Sequence, residues 1–291
     1  MPDPGSVRLP VPTTAAGVEG LQAILANPVR ALVALDFDGT LAPIVAEPAL
    51  ARAHPDASSM LRRLAASIGT VAVVTGRPSE VAASLLGFTA EAPPANVFVV
   101  GHYGLETWTP SAGVVRVAGV DLSHIDGVRS ALPDLLRDLA APPGTVIEDK
   151  GAAVAVHVRG TDEPREALEL LRAPLARLAA EHGLQLEPGR LVLELRPRGT
   201  DKGTALASLV HARAAQSVCY VGDDLGDLAA FDALVDLRSA GVAALGVFSG
   251  AVNLPEVAEV AARTDLVLAG PPEVVGFLEA LCRGVRLGKR A

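Results

Sequence analysis

Two acidic clusters stand out in the 291-residue chain, each directly after a short apolar run. Ala31–Leu35 (ALVAL) leads into Asp36-Phe-Asp38-Gly-Thr40, and Ser217–Val221 (SVCYV) into Gly222-Asp223-Asp224-Leu-Gly-Asp227. A third run, Thr70–Val74, leads into Thr75-Gly-Arg77. Carboxylates gathered in one place repel each other unless a cation joins them. An all-oxygen donor set selects a hard ion, and a site that also holds phosphate favours magnesium. The spacing does not fit an EF-hand loop: Thr40 stands where a third acidic ligand is expected, and a strand precedes the loop. Taken alone, Asp36 and Asp38 could equally form a plain Asp/Gly turn; the second cluster tips the reading toward a metal site. A cation arrives from elsewhere. Lys202 lies in the first turn of a predicted helix, Thr200–His211, with Thr200 as N-cap. A lysine there opposes the helix dipole, which makes sense if an anion lies in front of it. On that evidence alone a tolerated, exposed lysine is as good a reading.

Such residues need elements to hold them. Continuous apolar runs followed at once by polar loops suit parallel strands buried on both faces. Six are visible: Ala31–Leu35, Thr70–Val74, Val97–Val100, Ser217–Val221, Ala243–Phe248 and Leu266–Leu268. Helical patterns lie at Val18–Ala26, Pro55–Ser67, Pro78–Leu86 and Pro272–Arg283. This alternation predicts an α/β fold, a doubly wound sheet that binds ligands at the carboxyl ends of its strands.

The stretch from Trp108 to Arg198 has a different period. In Ala152–Arg159, Val154, Val156 and Val158 alternate with Ala153, Ala155, His157 and Arg159. In Leu191–Arg196, Leu191, Leu193 and Leu195 alternate with Val192, Glu194 and Arg196. Period two with one polar face predicts an antiparallel sheet uncovered on one side. Helical patterns at Ile125–Leu139 and Glu163–Glu181 can cover the other. The expected organisation is a disordered tail over residues 1–15, a core of 16–107 and 199–291, and a smaller α+β domain of 108–198 inserted in it. Glu148, Lys150, His157, Arg159, Glu194 and Arg196 are polar residues in or beside the inserted strands, either a binding face or an ordinary solvated one.

Composition narrows the function. The net charge of −8 carries no basic footprint for nucleic acid or an anionic membrane. No apolar run approaches the roughly 18–20 residues that span a bilayer, and the N-terminus has no signal-peptide pattern. A cytoplasmic location is expected. Cys219 and Cys282 lack ligand or disulfide spacing and read as small buried hydrophobes. Trp108 reads as packing.

Asp36-x-Asp38-Gly-Thr40, Thr75, Lys202 and Gly222-Asp-Asp-x-x-Asp227 stand in the order of the four motifs of the haloacid dehalogenase (HAD) superfamily. The chain resembles that superfamily from about Arg30 onward, with the insert placed as a type C2 cap on a Rossmann-like core. Within it the chain resembles the trehalose-6-phosphate phosphatase family, through Gly101-His-Tyr-Gly-Leu-Glu106, Glu148-Asp-Lys-Gly151, His157-Val-Arg159, Glu194-Leu-Arg196 and Asp201-Lys-Gly203. One departure is visible: the family's Thr-Asp-Glu is here Gly226-Asp227-Leu228.

The resemblance implies a magnesium-dependent hydrolysis of a sugar phosphate. Asp36 would attack phosphorus and Asp38 would act as acid and base. Thr75 and Lys202 would hold the phosphoryl oxygens. Mg2+ would be held by Asp36, the main-chain carbonyl of Asp38, and Asp223, with Asp224 and Asp227 orienting from behind. Arg77, Glu148, Lys150, Arg159 and Glu194 would bind substrate, joined more weakly by His157 and Arg196. His102, Tyr103 and Glu106 either line the junction of the domains or serve an ordinary structural role. Functional coupling to a trehalose-6-phosphate synthase also follows from the resemblance. Two alternatives stay open: a related phosphatase acting on sucrose phosphate or a glycosyl-phosphoglycerate, and a non-catalytic sugar-phosphate sensor.

Overall fold

The computed structural model describes residues 9–45, 50–117, 122–189, 191–252 and 255–288. In chain order these form α1 (Ala15–Ala26), β1 (Ala31–Leu35), α2 (Ala57–Ala65), β2 (Thr70–Val74), α3 (Ser79–Leu85), β3 (Val97–Gly101), β4 (Glu106–Thr109) and β5 (Gly113–Arg116). Then come α4 (Ser123–Asp138), β6 (Val146–Asp149), β7 (Val154–His157), α5 (Pro164–Glu181), β8 (Leu184–Gly189) and β9 (Val192–Pro197). The chain ends with α6 (Lys202–Ala212), β10 (Ser217–Gly222), α7 (Leu228–Ser239), β11 (Ala243–Ser249), α8 (Pro255–Ala261), β12 (Leu266–Leu268) and α9 (Pro271–Gly288). They divide into two compact units, Met1–Val115 with Asp201–Ala291, and Arg116–Thr200.

The larger unit is built on a sheet ordered β12-β11-β10-β1-β2-β3-β4-β5. Its pairs from β12 to β3 are parallel, and β4 returns antiparallel to β3. Every residue of β1, β2 and β10 is buried, which is why these strands read as unbroken apolar runs. Val33, Leu35, Val73 and Val221 pack on one face with Ile24 of α1, Leu61 of α2 and Phe277 of α9. Leu32, Ala34, Val74 and Tyr220 pack on the other with Leu206 of α6 and Phe231 of α7. Helices thus cover both faces, the doubly wound arrangement. From β1 the chain winds outward through β2 and β3, then returns to the other side of β1 at β10. The order therefore reverses between β1 and β10, where such folds bind ligands.

The N-terminal expectation needs correcting. Residues 1–8 lie outside the described residues, but Thr13 and Thr14 are tied down. The backbone N–H of Thr13 donates to the Asp265 carbonyl (2.7 Å), and the Thr14 hydroxyl bonds the Asp265 carboxylate while capping α1 at Gly17. A buried acceptor from the far end of the chain supplies the order, and no local pattern signals it. Trp108 is buried and stacks on Phe88 with ring centroids 6.2 Å apart, as packing. Both cysteines are free and buried.

The smaller unit is an antiparallel sheet ordered β6-β7-β9-β8. Val154, Val156, Leu193 and Leu195 pack with Ile125, Val128 and Leu132 of α4 and Leu171 and Leu175 of α5. The register places Glu148, Ala155, His157, Glu187, Glu194 and Arg196 on the opposite face. Of the two readings of that face, the solvated one does not fit His157, Glu194 and Arg196, each 6% exposed or less. Their side chains pair across strands instead of extending into water. Strand β7 is also shorter than its alternation suggested. It stops at His157, so Arg159 sits half-buried in the following turn, outside the strand's period.

Candidate active site

The carboxyl ends of β1 and β10 bring the two acidic clusters together. Asp36 follows β1, Asp223 follows β10, and both are buried. The loop between Asp36 and Thr40 passes so close that only glycine fits at position 39. Its φ is +80°, and a Cβ there would lie 1.9 Å from Asp223 Oδ2. Thr75 follows β2, and its hydroxyl accepts the backbone N–H of Arg77 (3.2 Å).

Lys202 opens α6, though not as expected. Asp201 is the N-cap, its carboxylate accepting the N–H of Thr204 (2.6 Å), while the Thr200 hydroxyl turns back to the Pro197 carbonyl. The anions in front of Lys202 are carboxylates: Nζ lies 2.9 Å from Asp36 Oδ1 and 2.7 Å from Asp227 Oδ1. Burial works against the ammonium form, but Asp227 and Asp36 outweigh it and hold the amine well above its usual range. Burial pushes the Asp36 carboxyl up to about 8; Lys202 opposes this, and Asp227 and Asp38 reinforce it. Asp223 is raised by burial and by the charges of Asp224 and Asp227.

Asp227 is completely buried and organises the cluster. Its Oδ2 accepts the backbone N–H groups of Asp223 (2.8 Å) and Asp224 (3.1 Å). Its Oδ1 accepts Lys202 Nζ and the hydroxyl of Tyr220 (2.5 Å). Asp224 caps the short turn 225–227 through the N–H of Gly226 (2.8 Å). Leu228, where the family has an acid, begins α7 and packs against the apolar layer.

Asp38 is gripped by Arg77, whose Nε and Nη2 each donate to one of its oxygens at 2.7 Å. The same guanidinium lies 5.4 Å from the centroid of Phe37. Arg77, expected on substrate, here fixes the orientation of Asp38. His102 and Tyr103 follow β3 in left-handed conformations, with φ of +48° and +56°. Glu106 accepts the N–H (2.7 Å) and hydroxyl (2.9 Å) of Ser79, a first-turn donor of α3. It therefore fastens a helix end within the larger unit.

A divalent cation fits this donor set. Oxygens of Asp36, Asp223 and Asp227 lie within 4.8 Å of one another, all buried. A carboxylate has about four lone-pair sites, and Asp227 already receives four donors. Asp36 and Asp223 are thus the side chains with capacity for an ion, and Asp227 is better placed to orient than to ligate.

In the smaller unit the structure pairs the polar residues among themselves. His157 Nε2 meets Glu148 Oε2 at 2.7 Å, Lys150 Nζ donates to Glu194 Oε2 at 2.5 Å, and Arg196 Nη2 donates to Glu187 Oε2 at 2.7 Å. Among the described residues, His157 Nδ1 and Glu194 Oε1 are buried without a hydrogen-bond partner. Sequence reasoning missed Glu187, whose clue was its place in an unrecognised strand. It also missed Tyr220, which gave no signal within an apolar run.

Residues 34–256 match the family described as trehalose-phosphatase. An uncharacterised glycosyl hydrolase of Mycobacterium tuberculosis is 36% identical over 216 residues, 70% of this chain and 15% of the relative. A trehalose-phosphate phosphatase of the same organism is 34% identical over 206 residues, 69% of this chain and 50% of the relative. The chain thus spans half, or far less, of the length of these relatives. Among solved structures, the C-terminal domain of a C. albicans trehalose-6-phosphate phosphatase aligns with a TM-score of 0.76, covering 94% of this chain and 99% of that one. At 20% identity this likeness shows the fold alone.

Proposed function

The chain belongs to the trehalose-phosphatase family, and from that premise we propose that it hydrolyses trehalose 6-phosphate to trehalose and phosphate through an aspartyl-phosphate. The observation that carries the proposal is the convergence of Asp36, Asp223 and Lys202 at the point where strand order reverses. The Asp36 carboxylate is the nucleophile: one oxygen forms the bond to phosphorus as the bond to the sugar oxygen breaks. Asp38 gives a proton to that leaving oxygen and later takes one from the water that releases phosphate. Arg77 keeps both oxygens of Asp38 aimed. Lys202 and Thr75 hold the phosphoryl oxygens.

Asp36, the carbonyl of Asp38, and Asp223 would hold Mg2+, which when bound supplies charge neutralisation for the phosphoryl group. Uncatalysed phosphate-monoester hydrolysis is so slow that fixed charge and positioning must carry most of the acceleration.

Substrate choice is assigned to the smaller unit, with Glu148, Lys150, Arg159 and Glu194 contacting the sugar and His157 and Arg196 supporting them. The pairing there favours a neutral disaccharide over a phosphoglycerate, because Lys150 and Arg196 are already balanced by Glu194 and Glu187. A trehalose-6-phosphate synthase would supply the substrate. Among the described residues no helix is long and apolar enough to cross a membrane, and we place the reaction in the cytoplasm.

Phosphate release from a panel of sugar phosphates tests the reading. Trehalose 6-phosphate should lead sucrose phosphate and glucosyl-phosphoglycerate by at least about tenfold in kcat/KM. Equal or better turnover of either rival would overturn the substrate assignment.

A further inference from the structure

We propose that Tyr220 is a positioning residue of the reaction: its hydroxyl saturates Asp227, so that Asp227 aims Asp223 and shares Lys202 with Asp36. The inference rests on the phosphatase reading of this site. Tyr220 belongs to β10, three residues before Asp223, and its side chain is fully buried. The ring packs edge-on against Phe231, with centroids 5.5 Å apart at 78°. Filling the layer would need only the ring. The hydroxyl does something separate: it donates 2.5 Å to Asp227 Oδ1, the same oxygen that receives Lys202.

Two consequences follow from that shared oxygen. First, with the tyrosine hydroxyl, Lys202 Nζ and two backbone N–H groups, the four acceptor sites of Asp227 are filled. Asp227 then has no capacity left to draw a cation away from Asp36 and Asp223. Second, the hydroxyl takes up part of the acceptor strength of Oδ1. Lys202 is held less exclusively by Asp227 and keeps its 2.9 Å contact with Asp36. Without the hydroxyl, Asp227 would hold Lys202 more tightly and have an open site for metal or water. Both changes act on groups that meet the phosphoryl group in the transition state, so turnover should suffer more than substrate affinity.

The test compares Tyr220→Phe with the unaltered full chain, with Phe231→Leu as a packing control and Asp36→Asn as a control for the reading itself. A hydrogen bond to a charged group predicts a fall in kcat of roughly 10- to 100-fold for Tyr220→Phe. KM for trehalose 6-phosphate should change by no more than about threefold. Calorimetric titration with Mn2+, which needs no turnover, should show altered affinity in Tyr220→Phe and unaltered affinity in Phe231→Leu. Replacing Tyr220 with 4-aminophenylalanine, which restores a donor at the ring's end, should recover most of kcat. Wild-type kcat and Mn2+ affinity in folded Tyr220→Phe would overturn the positioning role. So would a loss that 4-aminophenylalanine does not rescue, or one that Phe231→Leu reproduces. If Tyr220→Phe does not fold, the 4-aminophenylalanine protein decides alone: near-normal kcat and Mn2+ affinity uphold the role, and loss of both refutes it. Hydrolysis that survives Asp36→Asn would instead refute the phosphatase reading of the site.

Discussion

The two units handle charge in opposite ways. At the carboxyl ends of β1 and β10 in the larger unit, Asp36, Asp223, Asp224 and Asp227 lie together, and Lys202 pairs with Asp36 and Asp227. On the sheet face of the smaller unit, Glu148 meets His157, Lys150 meets Glu194, and Arg196 meets Glu187. The first arrangement is rich in carboxylates and fits the proposed divalent ion. The second is balanced, and its surplus is hydrogen-bonding capacity, such as the unpartnered His157 Nδ1 and Glu194 Oε1. Unbalanced charge suits chemistry on a phosphoryl group. Balanced, buried polar pairs suit recognition of hydroxyls, whose loss leaves polar groups unsatisfied. The contrast teaches that the proposed division between catalysis and selection has a counterpart in how each unit places its charges.

Breaking the first half of the comparison should give the largest effect. Asp36→Asn removes the nucleophile but keeps the side-chain shape, so turnover should fall by roughly 10⁴-fold or more while the unfolding temperature holds. Substantial remaining hydrolysis, measured by phosphate release, would remove Asp36 from its role.

Next in size is the cation. Chelation with EDTA should silence the enzyme, Mg2+ should restore it and Ca2+ should do so poorly, since magnesium demands a tighter octahedral shell. Asp223→Ala should raise the Mg2+ concentration for half-maximal activity by about tenfold or more. Full activity in metal-free buffer would show that the carboxylate excess serves another purpose.

The smallest effect sharpens the second half. Asp149 in the smaller unit is held below the usual carboxylate range by its hydrogen bonds from Arg129, with burial opposing and the N–H of Gly151 assisting. A depressed folded-state pKa contributes stability that is present above the unfolded value, near 3.9. That stability is lost as pH falls through the folded value. The pair is largely exposed, so Arg129→Ala should cost no more than about 1 kcal/mol at pH 7. The gap should close as the pH falls from neutral to below the folded-state value of Asp149. Thermal unfolding at the two pH values checks this; an undiminished gap in acid would mean that Arg129 acts by packing.

Legibility in the sequence followed the range of the interactions. β1 and β2 could be read to the residue, because burial on both faces leaves an unbroken apolar run bounded by polar loops; β12 could too, as a short apolar run, although Val267 is exposed. Asp36, Asp38 and the Gly222–Asp227 cluster were legible because each follows such a run. β6 and β8 were not, since Val146 is exposed and Glu187 faces Arg196, so neither shows a clean alternation. The anchoring of Thr13 and Thr14 by Asp265 joins residues about 250 positions apart. The part played by Tyr220 was hidden for a simpler reason. A tyrosine inside SVCYV looks like core, and only the structure shows where its hydroxyl points.

The central claim is that chemistry lies in the larger unit and selection in the smaller, and one measurement tests it directly. It compares kcat/KM for trehalose 6-phosphate and for p-nitrophenyl phosphate in the Glu148→Ala enzyme. A lost hydrogen bond to a charged group predicts a fall of roughly 10- to 150-fold on the sugar phosphate. The aryl phosphate offers no sugar to grip, so its rate should stay within about twofold. Equal losses on both substrates would contradict the account, placing Glu148 in folding or in the chemistry itself.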